Sequence, residues 1–268
     1  MEKVTVLIPT YNRSDALAVT LTGLCFQSFK EFNVVVSDQS DEAVEKQPGV
    51  AAVTRVLEHH GNKVTFIRNL PRLGMAQQRQ CLLDKASGEY VLFLDDDVLL
   101  ESWSLKTMVD VIKEEKCGMA GMFVIGLSYK DDVRPHHQKV EFWDGPVKPE
   151  TIRPGTKEWQ RASLHSAANV LHLSERLNAT PDNPLKYKVA WIGACKLYNT
   201  KKLREVGGFN FWRELPPEHS GEDVMAQLKV IEKSGGCGIL PSGAYHQEFE
   251  TKVPNREVDA FKVLLEGE

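Results

Sequence analysis

Short apolar runs alternate with helical patterns along the first part of the chain, and this alternation restricts the fold more than any other feature. The strand-like runs are KVTVLIPTY, FNVVVSD, KVTFIRN and EYVLFLDDD. Apolar residues fall on both parities of these runs, which is typical of strands buried on both faces of a parallel sheet. Between the first two runs, Leu17, Leu21 and Leu24 recur at helical spacing behind Ser14, a candidate helix cap. The order predicts βαβ units and an α/β fold with a central, mostly parallel sheet flanked by helices.

Composition and charge narrow the class of protein. The 268 residues are 42% hydrophobic and 26% charged, which fits one large globular domain. Lys and Arg number 33 against 37 Asp and Glu, so the chain lacks the basic excess of a nucleic-acid-binding protein. Five cysteines without a C-x-x-C pair favour a reducing compartment, and no apolar run is long enough for a signal sequence or a membrane span. We therefore expect a soluble cytoplasmic protein, with peripheral contact at the inner face of a membrane left open.

The segment from Ser128 to Tyr187 differs from the rest of the chain. It holds six of the thirteen prolines and has weak periodicity, so we interpret 127–187 as an irregular insertion in a single domain. Its middle, KEWQRASLHSAANVLHLSERL, fits a helix or an edge strand, and the sequence leaves this open. After it, KVAWIGACKLYN and CGILPSGAYHQ are strand candidates on either side of a helix, SGEDVMAQLKVIEKSGG. The domain then consists of residues 1–126, the insertion, residues 188–250 and a C-terminal tail, 251–268.

Polar residues follow each strand-like run of the first half. Ligands of open parallel sheets bind beyond the carboxyl ends of the strands, so we expect these residues to converge on one crevice. They are Thr10, Tyr11, Asn12 and Arg13, then Asp38, then Asn69 and Arg72, then Asp95, Asp96 and Asp97. Taken alone, Asp38 fits a turn or a helix cap equally well, and Arg13 fits a solvated surface charge better.

The aspartate triplet, Asp95 to Asp97, is the most telling of these features. Three adjacent carboxylates repel one another at the end of a buried strand unless a positive charge compensates them. Mg²⁺ or Mn²⁺ binds such oxygens, commonly one or two carboxylates together with substrate phosphates. The alternatives are an acidic turn before the next helix, or a calcium loop, although the spaced EF-hand pattern is missing. We favour the interpretation in which a metal and a diphosphate bind.

A second acidic pair, Glu222 and Asp223, stands in the first turn of a predicted helix. Ser220 and Asp223 have the spacing of a capping box, and acids there favour the helix dipole, so capping explains one carboxylate. The second carboxylate leaves room for a general base in a cleft. His246, at the end of the last strand candidate, is on its own more often a structural histidine than a metal ligand.

Seven motifs, in order, resemble those of the family 2 glycosyltransferases of GT-A fold. They are VTVLIPTYNR, FNVVVSDQSD, RLGMAQQRQ, GEYVLFLDDDVL, WIGACKLYNTKKLREVGGFN, GEDVMAQL and AYHQEF. The resemblance covers residues 1 to about 126 and 188 to 250, and it leaves the insertion unmatched. It implies a GT-A-type, Rossmann-like domain that uses a nucleotide-sugar donor.

The resemblance also implies roles for residues of the nucleotide-binding half. The family's opening motif surrounds the nucleotide, and its members here are Pro9, Thr10, Tyr11 and Arg13. The segment SDQS matches the family's acidic DDGS motif, so Asp38 is expected to contact the base, although Ser37 and Gln39 depart from that pattern. Arg72 is a looser candidate for a nucleotide contact.

The triplet resembles the family's aspartate-x-aspartate motif. By this resemblance, Asp95 and Asp96 lie toward the ribose of the nucleotide. Asp97 is the expected metal ligand, with Asp95 and His246 completing the set around Mn²⁺ or Mg²⁺.

In the second half, the resemblance assigns catalysis and sugar packing. Asp223 matches the family's catalytic base and Glu222 its support, while Gly193 lies where the family packs backbone against the donor sugar or the acceptor. The implied reaction is an inverting transfer from a nucleotide sugar, with a UDP-sugar as the expected donor, to an acceptor hydroxyl.

Synthesis of a polysaccharide, a glycolipid or a cell-envelope glycan is the expected setting, with a glycan, a lipid-linked molecule or a small molecule as acceptor. We expect the insertion to meet the acceptor, because loops of this length are uncommon without a function. Two alternatives stay open, a sugar-nucleotide nucleotidyltransferase and a non-catalytic module that binds sugar nucleotides or glycans. The former is expected to need a glycine-rich, basic loop after the first strand, and IPTYNRSD has neither glycine nor lysine.

Overall fold

In the computed structural model, the described residues, 3–165, 169–251 and 256–265, form an eight-stranded sheet with helices on both faces. The strands are β1 (Val4–Thr10), β2 (Phe32–Asp38), β3 (Val64–Arg68), β4 (Tyr90–Leu94), β5 (Val98–Leu100), β6 (Met119–Gly121), β7 (Leu185–Tyr187), β8 (Cys195–Asn199), β9 (Gly236–Leu240) and β10 (Ala244–His246). The helices are α1 (Ser14–Cys25), α2 (Pro48–His59), α3 (Met75–Lys85), α4 (Ser104–Glu115), α5 (Asn169–Arg176), α6 (Thr200–Glu205), α7 (Glu222–Ser234) and α8 (Ala260–Leu265). The predicted α/β class is confirmed.

The topology of the sheet brings the ends of β1 and β4 together. The strand order is β3-β2-β1-β4-β8-β6-β9-β7. The first four of these strands run parallel to one another, whereas β8 and β7 are antiparallel to their neighbours. A separate antiparallel pair, β5 and β10, sets His246 opposite Val98, directly after the aspartate triplet. The carboxyl ends of β1 and β4 and the start of β8 therefore meet at one edge.

The strands are apolar on both parities because helices cover both faces of the sheet. Every residue of β1 and of β4 is buried. Val6 and Ile8 belong to the core cluster that includes α1 and α4, while Leu7, which points to the other face, belongs to the cluster that includes α3 and α7. The continuous apolar runs in the sequence follow from this double coverage.

The structure agrees with the predicted strands of the first half and revises two in the second. KVAWIGACKLYN is a strand only from Cys195 onward, and CGILPSGAYHQ divides into β9 and β10. The stretch left open between helix and strand contains a 3₁₀ helix, Trp159–Leu164, and the helix α5. Its residues 166–168 lie outside the described residues.

The segment 127–187 is less irregular than the sequence indicated. Besides α5 it contributes β7, which joins the edge of the sheet by pairing with β9. Among the described residues, none of the helices has both the length and the apolar character needed to cross a membrane.

The prediction that Ser14 caps α1 is wrong. Ser14 is the first helical residue, and the cap position belongs to Arg13, whose side chain makes no capping hydrogen bond. The chain turns at Asn12, which has a positive φ of 51°, and the helix begins at Ser14, one residue earlier than a Ser14 cap would set it. This shift leaves the Arg13 side chain at the edge of the sheet, where it reaches the aspartate triplet.

Gly238 on β9 allows the ring of Tyr187 to pack flat against the strand. A β-carbon at Gly238 would lie 2.2 Å from Tyr187 Cζ, and Tyr187 is fully buried. We expect Gly238→Ala to lower the free energy of unfolding in urea by about 1–3 kcal/mol through overpacking. Gly49→Ala is the control, because its β-carbon would meet only Ala18 at an ordinary 3.6 Å. An equal, small effect of the two substitutions would contradict this packing.

Candidate active site

A cleft of about 590 Å³ opens at the edge where β1, β4 and the start of α7 meet. Most of the site residues predicted from the sequence line it, namely Pro9, Thr10, Tyr11, Arg13, Asp95, Asp96, Asp97, Gly193, Glu222, Asp223 and His246. The residues that follow β1 and β4 therefore converge on one crevice, as predicted, apart from Asn12. The residues that follow β2 and β3, namely Asp38, Asn69 and Arg72, are not part of this lining.

The triplet begins where β4 ends, and two of its three members are buried. Asp96 accepts a hydrogen bond from Thr10 Oγ1 at 2.6 Å and lies 3.3 Å from the Arg13 guanidinium. Asp97 accepts a 2.6 Å bond from the same guanidinium, and its Oδ2 lies 3.5 Å from His246 Nε2. A protein cation thus already compensates part of the charge of the triplet.

Burial raises the pKa of both inner aspartates. The pKa of Asp96 rises to about 7, because desolvation and the neighbouring carboxylates outweigh the hydrogen bond from Thr10 and the charge of Arg13. The pKa of Asp97 also rises, mainly through burial, with His246 and Arg13 opposing the shift. Both carboxyl groups therefore sit where additional positive charge would stabilise their ionised forms.

Arg79 joins the triplet to the acidic pair of α7. Its guanidinium is buried, donates to Glu222 Oε1 at 2.9 Å and lies 3.2 Å from Asp95 Oδ1. Burial alone would lower the Arg79 pKa, but the carboxylates around it raise it above its ordinary value. Burial raises the pKa of Glu222 despite this partner.

Asp223 has a buried cation of its own. Lys196 Nζ lies 2.5 Å from Asp223 Oδ2, and the Lys196 side chain is completely buried in β8. Burial would raise the pKa of Asp223, yet the charges of Lys196 and Arg79 and the bond from Lys196 hold it below its ordinary value. Asp223 is therefore ionised at neutral pH while it faces the cleft.

The capping explanation for the acidic pair is wrong. The cap of α7 is Gly221 in the left-handed conformation, with φ 74°, and no side chain caps the helix there. The Ser220 hydroxyl instead donates to Asp259 at 3.3 Å. Asp223 is thus not part of a capping box, although Glu222 and Asp223 both lie in the first turn of α7, where a carboxylate favours the helix dipole.

Asp38 and Arg72 are placed beside the cleft lining. The Asp38 carboxylate accepts bonds from the backbone of Ser40 and Val44 and pairs with Arg68 at 2.5 Å. These partners hold the Asp38 pKa below its ordinary value even though burial would raise it. The Arg72 guanidinium lies 4.3 Å from the centroid of the Tyr11 ring. Contacts of Asp38 and Arg72 with a nucleotide stay predictions.

The sequence matched Arg79 only to an arginine in a motif of the resembled family, and it gave no role to Lys196. Both residues hold the site together. Lys196 had a usable signal, because a lysine between Cys195 and Leu197 in an apolar strand is rare unless it is paired. The sequence around Arg79 gave a weaker signal, because its partner Glu222 is 143 positions away. His219 was also missed; its Nδ1 lies 2.7 Å from the Pro216 carbonyl, and its Nε2 accepts the Ala76 amide at the start of α3.

The residues at the triplet fit a divalent cation that also binds substrate oxygens. The described residues contain no cluster of three or more His, Cys, Asp or Glu side chains that could hold a metal alone. Asp97 Oδ2, which also accepts the bond from Arg13, and His246 Nε2 form an adjacent oxygen and nitrogen pair on the cleft wall. Mn²⁺ accepts both donor types, and metals of this kind commonly take one or two protein ligands and complete the shell with phosphate.

Comparison with known protein families gives one clear match. The family model described as Glycosyl transferase family 2 matches residues 5–174, which is more than half of the chain. The matched range continues into the segment 127–187, which the motifs had left unmatched, and it ends before Asp223.

Curated relatives match the chain over part of their own length. Poly(ribitol-phosphate) beta-N-acetylglucosaminyltransferase TarS of Staphylococcus aureus is 31% identical over 253 residues, covering 92% of this chain and 35% of the relative. A GalNAc(5)-diNAcBac-PP-undecaprenol beta-1,3-glucosyltransferase of Campylobacter jejuni is 31% identical over 115 residues, covering 42% of this chain and 36% of the relative. The chain thus spans about a third of the length of these two proteins.

Solved structures share the fold. Staphylococcus aureus TarS 1-349 in complex with UDP-GlcNAc aligns with a TM-score of 0.57 at 20% identity, over 94% of this chain and 60% of that one. The mannosyltransferase PcManGT from Pyrobaculum calidifontis, in complex with GDP-Man and Mn²⁺, aligns with a TM-score of 0.56 at 18% identity, over 94% and 58%. At these identities the likeness establishes the α/β architecture.

Removal of the Arg79 charge should measure how much Arg79 contributes to the stability of the protein. Arg79→Met leaves Glu222 buried without its partner, so we expect the free energy of unfolding in urea to fall by about 3–5 kcal/mol. Lys106→Met is the matched control, because Lys106 and Asp110 form an exposed pair on α4. That change should cost at most about 0.5 kcal/mol. Equal losses for the two variants would contradict the central place of Arg79.

Proposed function

The chain belongs to glycosyl transferase family 2, and we propose that it moves a sugar from a nucleotide-sugar donor to an acceptor hydroxyl with inversion at the anomeric carbon. The position of Asp223 carries the proposal. An ionised carboxylate that no capping duty explains faces the same cleft as the aspartate triplet. The cleft can thus hold a diphosphate at one end and a proton acceptor at the other.

A UDP-sugar is the donor we propose. TarS, which is 31% identical over 92% of this chain, has been solved with UDP-GlcNAc and with UDP, and this supports a uridine nucleotide. Pro9, Thr10 and Tyr11 end β1 at the cleft and would surround the nucleotide. The names of the relatives, which include polyprenol-linked and ribitol-phosphate acceptors, support a role in cell-envelope glycan or glycolipid synthesis.

The reaction requires one proton transfer and one displacement. Asp223 takes the proton of the acceptor hydroxyl while the hydroxyl oxygen forms a bond to the anomeric carbon of the donor. The bond between that carbon and the diphosphate oxygen breaks, and its electron pair leaves with the nucleoside diphosphate. Attack from the face opposite the leaving group inverts the configuration, and the proton on Asp223 is then lost to water.

The site holds more negative than positive charge, which favours a divalent cation in the complex. Its five carboxyl groups are Asp95, Asp96, Asp97, Glu222 and Asp223, and the cations paired with them are Arg13, Arg79 and Lys196. With all five carboxyl groups ionised, these three cations leave two formal negative charges. Arg256, which also lines the cleft, reduces the excess to one, and a donor diphosphate adds more negative charge. Mn²⁺ or Mg²⁺, bound by Asp97 and His246 with Asp95 nearby, would neutralise charge on the leaving diphosphate.

A panel of sugar nucleotides tests the function directly. In the presence of Mn²⁺, we expect slow hydrolysis of one donor, with water replacing the acceptor and the nucleoside diphosphate as the product. Release of pyrophosphate from a nucleoside triphosphate and a sugar phosphate would instead indicate a nucleotidyltransferase. Failure to turn over any nucleotide sugar would contradict the proposal.

Asp223→Asn should remove the base and keep the shape of the site. We expect kcat of the donor reaction to fall by about 10²- to 10⁴-fold, because general-base assistance contributes that much. Binding of UDP, measured by calorimetry, should stay close to that of the parent protein. Asp110→Asn, at an exposed position on α4, is the control and should leave kcat unchanged. Undiminished turnover by Asp223→Asn would exclude this residue as the base.

Asp97→Ala tests the metal separately from catalysis. We expect the parent protein to bind UDP more tightly with Mn²⁺ than with a chelator, and Asp97→Ala to lose this difference in calorimetry, because the carboxylate ligand is gone. Asp131→Ala, in an exposed loop, should keep the difference. Equally tight binding of UDP by the parent protein with and without metal would show that the metal role is wrong.

A further inference from the structure

Lys196 is the most deeply buried charge of the site. It is the second residue of β8, opposite Phe93 of β4 and Gly121 of β6. Its strand neighbours Cys195 and Leu197 pack in the core cluster of α1 and α4, so the alternation of the strand turns Lys196 toward α7. There its ammonium group meets Asp223 Oδ2 at 2.5 Å.

Stability alone does not account for this pair. Transfer of an ammonium and a carboxylate into the interior costs several kcal/mol per ion, and replacement of such pairs by packed apolar residues is often neutral or stabilising. Asp223 is also not fully enclosed, since 19% of its side chain is exposed and this part faces the cleft. The pair therefore links the interior of the sheet to the substrate space.

Asp223 is fixed on its backbone side as well. Gln227, one turn later on α7, donates to the Asp223 carbonyl at 3.0 Å. The same amide side chain accepts from Ile192 N at 2.6 Å and donates to Ile192 O at 3.0 Å. The start of α7 is thereby tied to the segment that carries Gly193, so one Asp223 oxygen is held by Lys196 while the backbone cannot move away.

We propose that Lys196 is a positioning residue for the proposed base. Lys196 binds one oxygen of the Asp223 carboxylate and keeps the carboxylate ionised. The other oxygen then accepts the proton of the acceptor hydroxyl. This inference rests on the function proposed above. Lys196 touches neither donor nor acceptor, and it acts through Asp223.

The charges around Asp223 determine whether removal of Lys196 raises or lowers the pKa of Asp223. The groups that face it are Lys196 and the Tyr198 hydroxyl on β8, Arg79 on α3 and Glu222 on its own helix. Burial and Glu222 favour the neutral acid, and the two cations favour the carboxylate. Lys196 therefore keeps Asp223 ready to accept a proton, and after transfer it promotes loss of that proton to water. Removal of Lys196 should raise the pKa of Asp223.

The pH profile of the reaction distinguishes positioning from a structural role. In Lys196→Met, the limb of the kcat/KM profile that reports protonation of Asp223 should move up by about 1–3 pH units. Asp96, whose pKa is about 7, titrates in both proteins, so the readout is the change of the profile between the parent and Lys196→Met. Lys196→Arg, which keeps the charge, should retain the parental limb, and UDP affinity should be unchanged in both. A loss of activity equal at every pH would overturn the proposal.

Carboxyl ¹³C NMR of labelled aspartate measures the same effect without turnover. The Asp223 signal, assigned by its absence in Asp223→Asn, should titrate at higher pH in Lys196→Met than in the parent, and Lys106→Met should leave it unmoved. An unchanged titration would overturn the role of Lys196 even in an active enzyme.

If the parent protein turned over no nucleotide sugar, the proposed function would fail, while the NMR titration would still decide whether Lys196 controls the charge of Asp223. Should Lys196→Met not fold, Lys196→Gln serves in both experiments.

Discussion

Compensation of buried negative charge is the constraint on which the rest of this site depends. Five carboxyl groups line one cleft, and three protein cations contact them at distances between 2.5 and 3.3 Å. Each cation serves a different part of the cleft: Arg13 the triplet, Lys196 the proposed base, and Arg79 the junction between the two. Without these pairs, burial would drive the carboxyl groups toward their neutral forms, and neither a metal nor a proton would be bound as the proposed reaction requires.

The fold brings these charges together from distant parts of the chain. Parallel β1 and β4 bring Thr10 and Asp96 into hydrogen-bond contact, although 86 positions separate them. Antiparallel β8 then enters beside β4 and delivers Lys196, while α3, on the face of the sheet toward which Lys196 points, delivers Arg79. Because β8 runs antiparallel to β4, β8 starts at the same edge of the sheet at which β4 ends. The segment with Gly193 therefore borders the cleft.

The sequence was informative where local patterns determine structure. Continuous apolar runs predicted β1 to β4, and the place of the triplet after β4 predicted its position at the sheet edge. Local patterns failed where the answer depended on long-range contacts. Ser220 has the spacing of a cap, but its hydroxyl is taken by Asp259, and the glycine before Glu222 adopts the left-handed turn instead. The partners of Arg79 and Lys196 could not be read from spacing, since each pair forms only after the sheet and α7 are assembled.

The proposed function requires a divalent cation that compensates both the negative charge left in the cleft and the charge that a nucleoside diphosphate adds to it. Diffraction from crystals grown with UDP and Mn²⁺, with data collected at a wavelength where manganese scatters anomalously, tests it most directly. We expect an anomalous peak at coordination distance from Asp97 and from the diphosphate, with His246 beside it. A diphosphate bound away from the triplet, or manganese bound without Asp97, would contradict it.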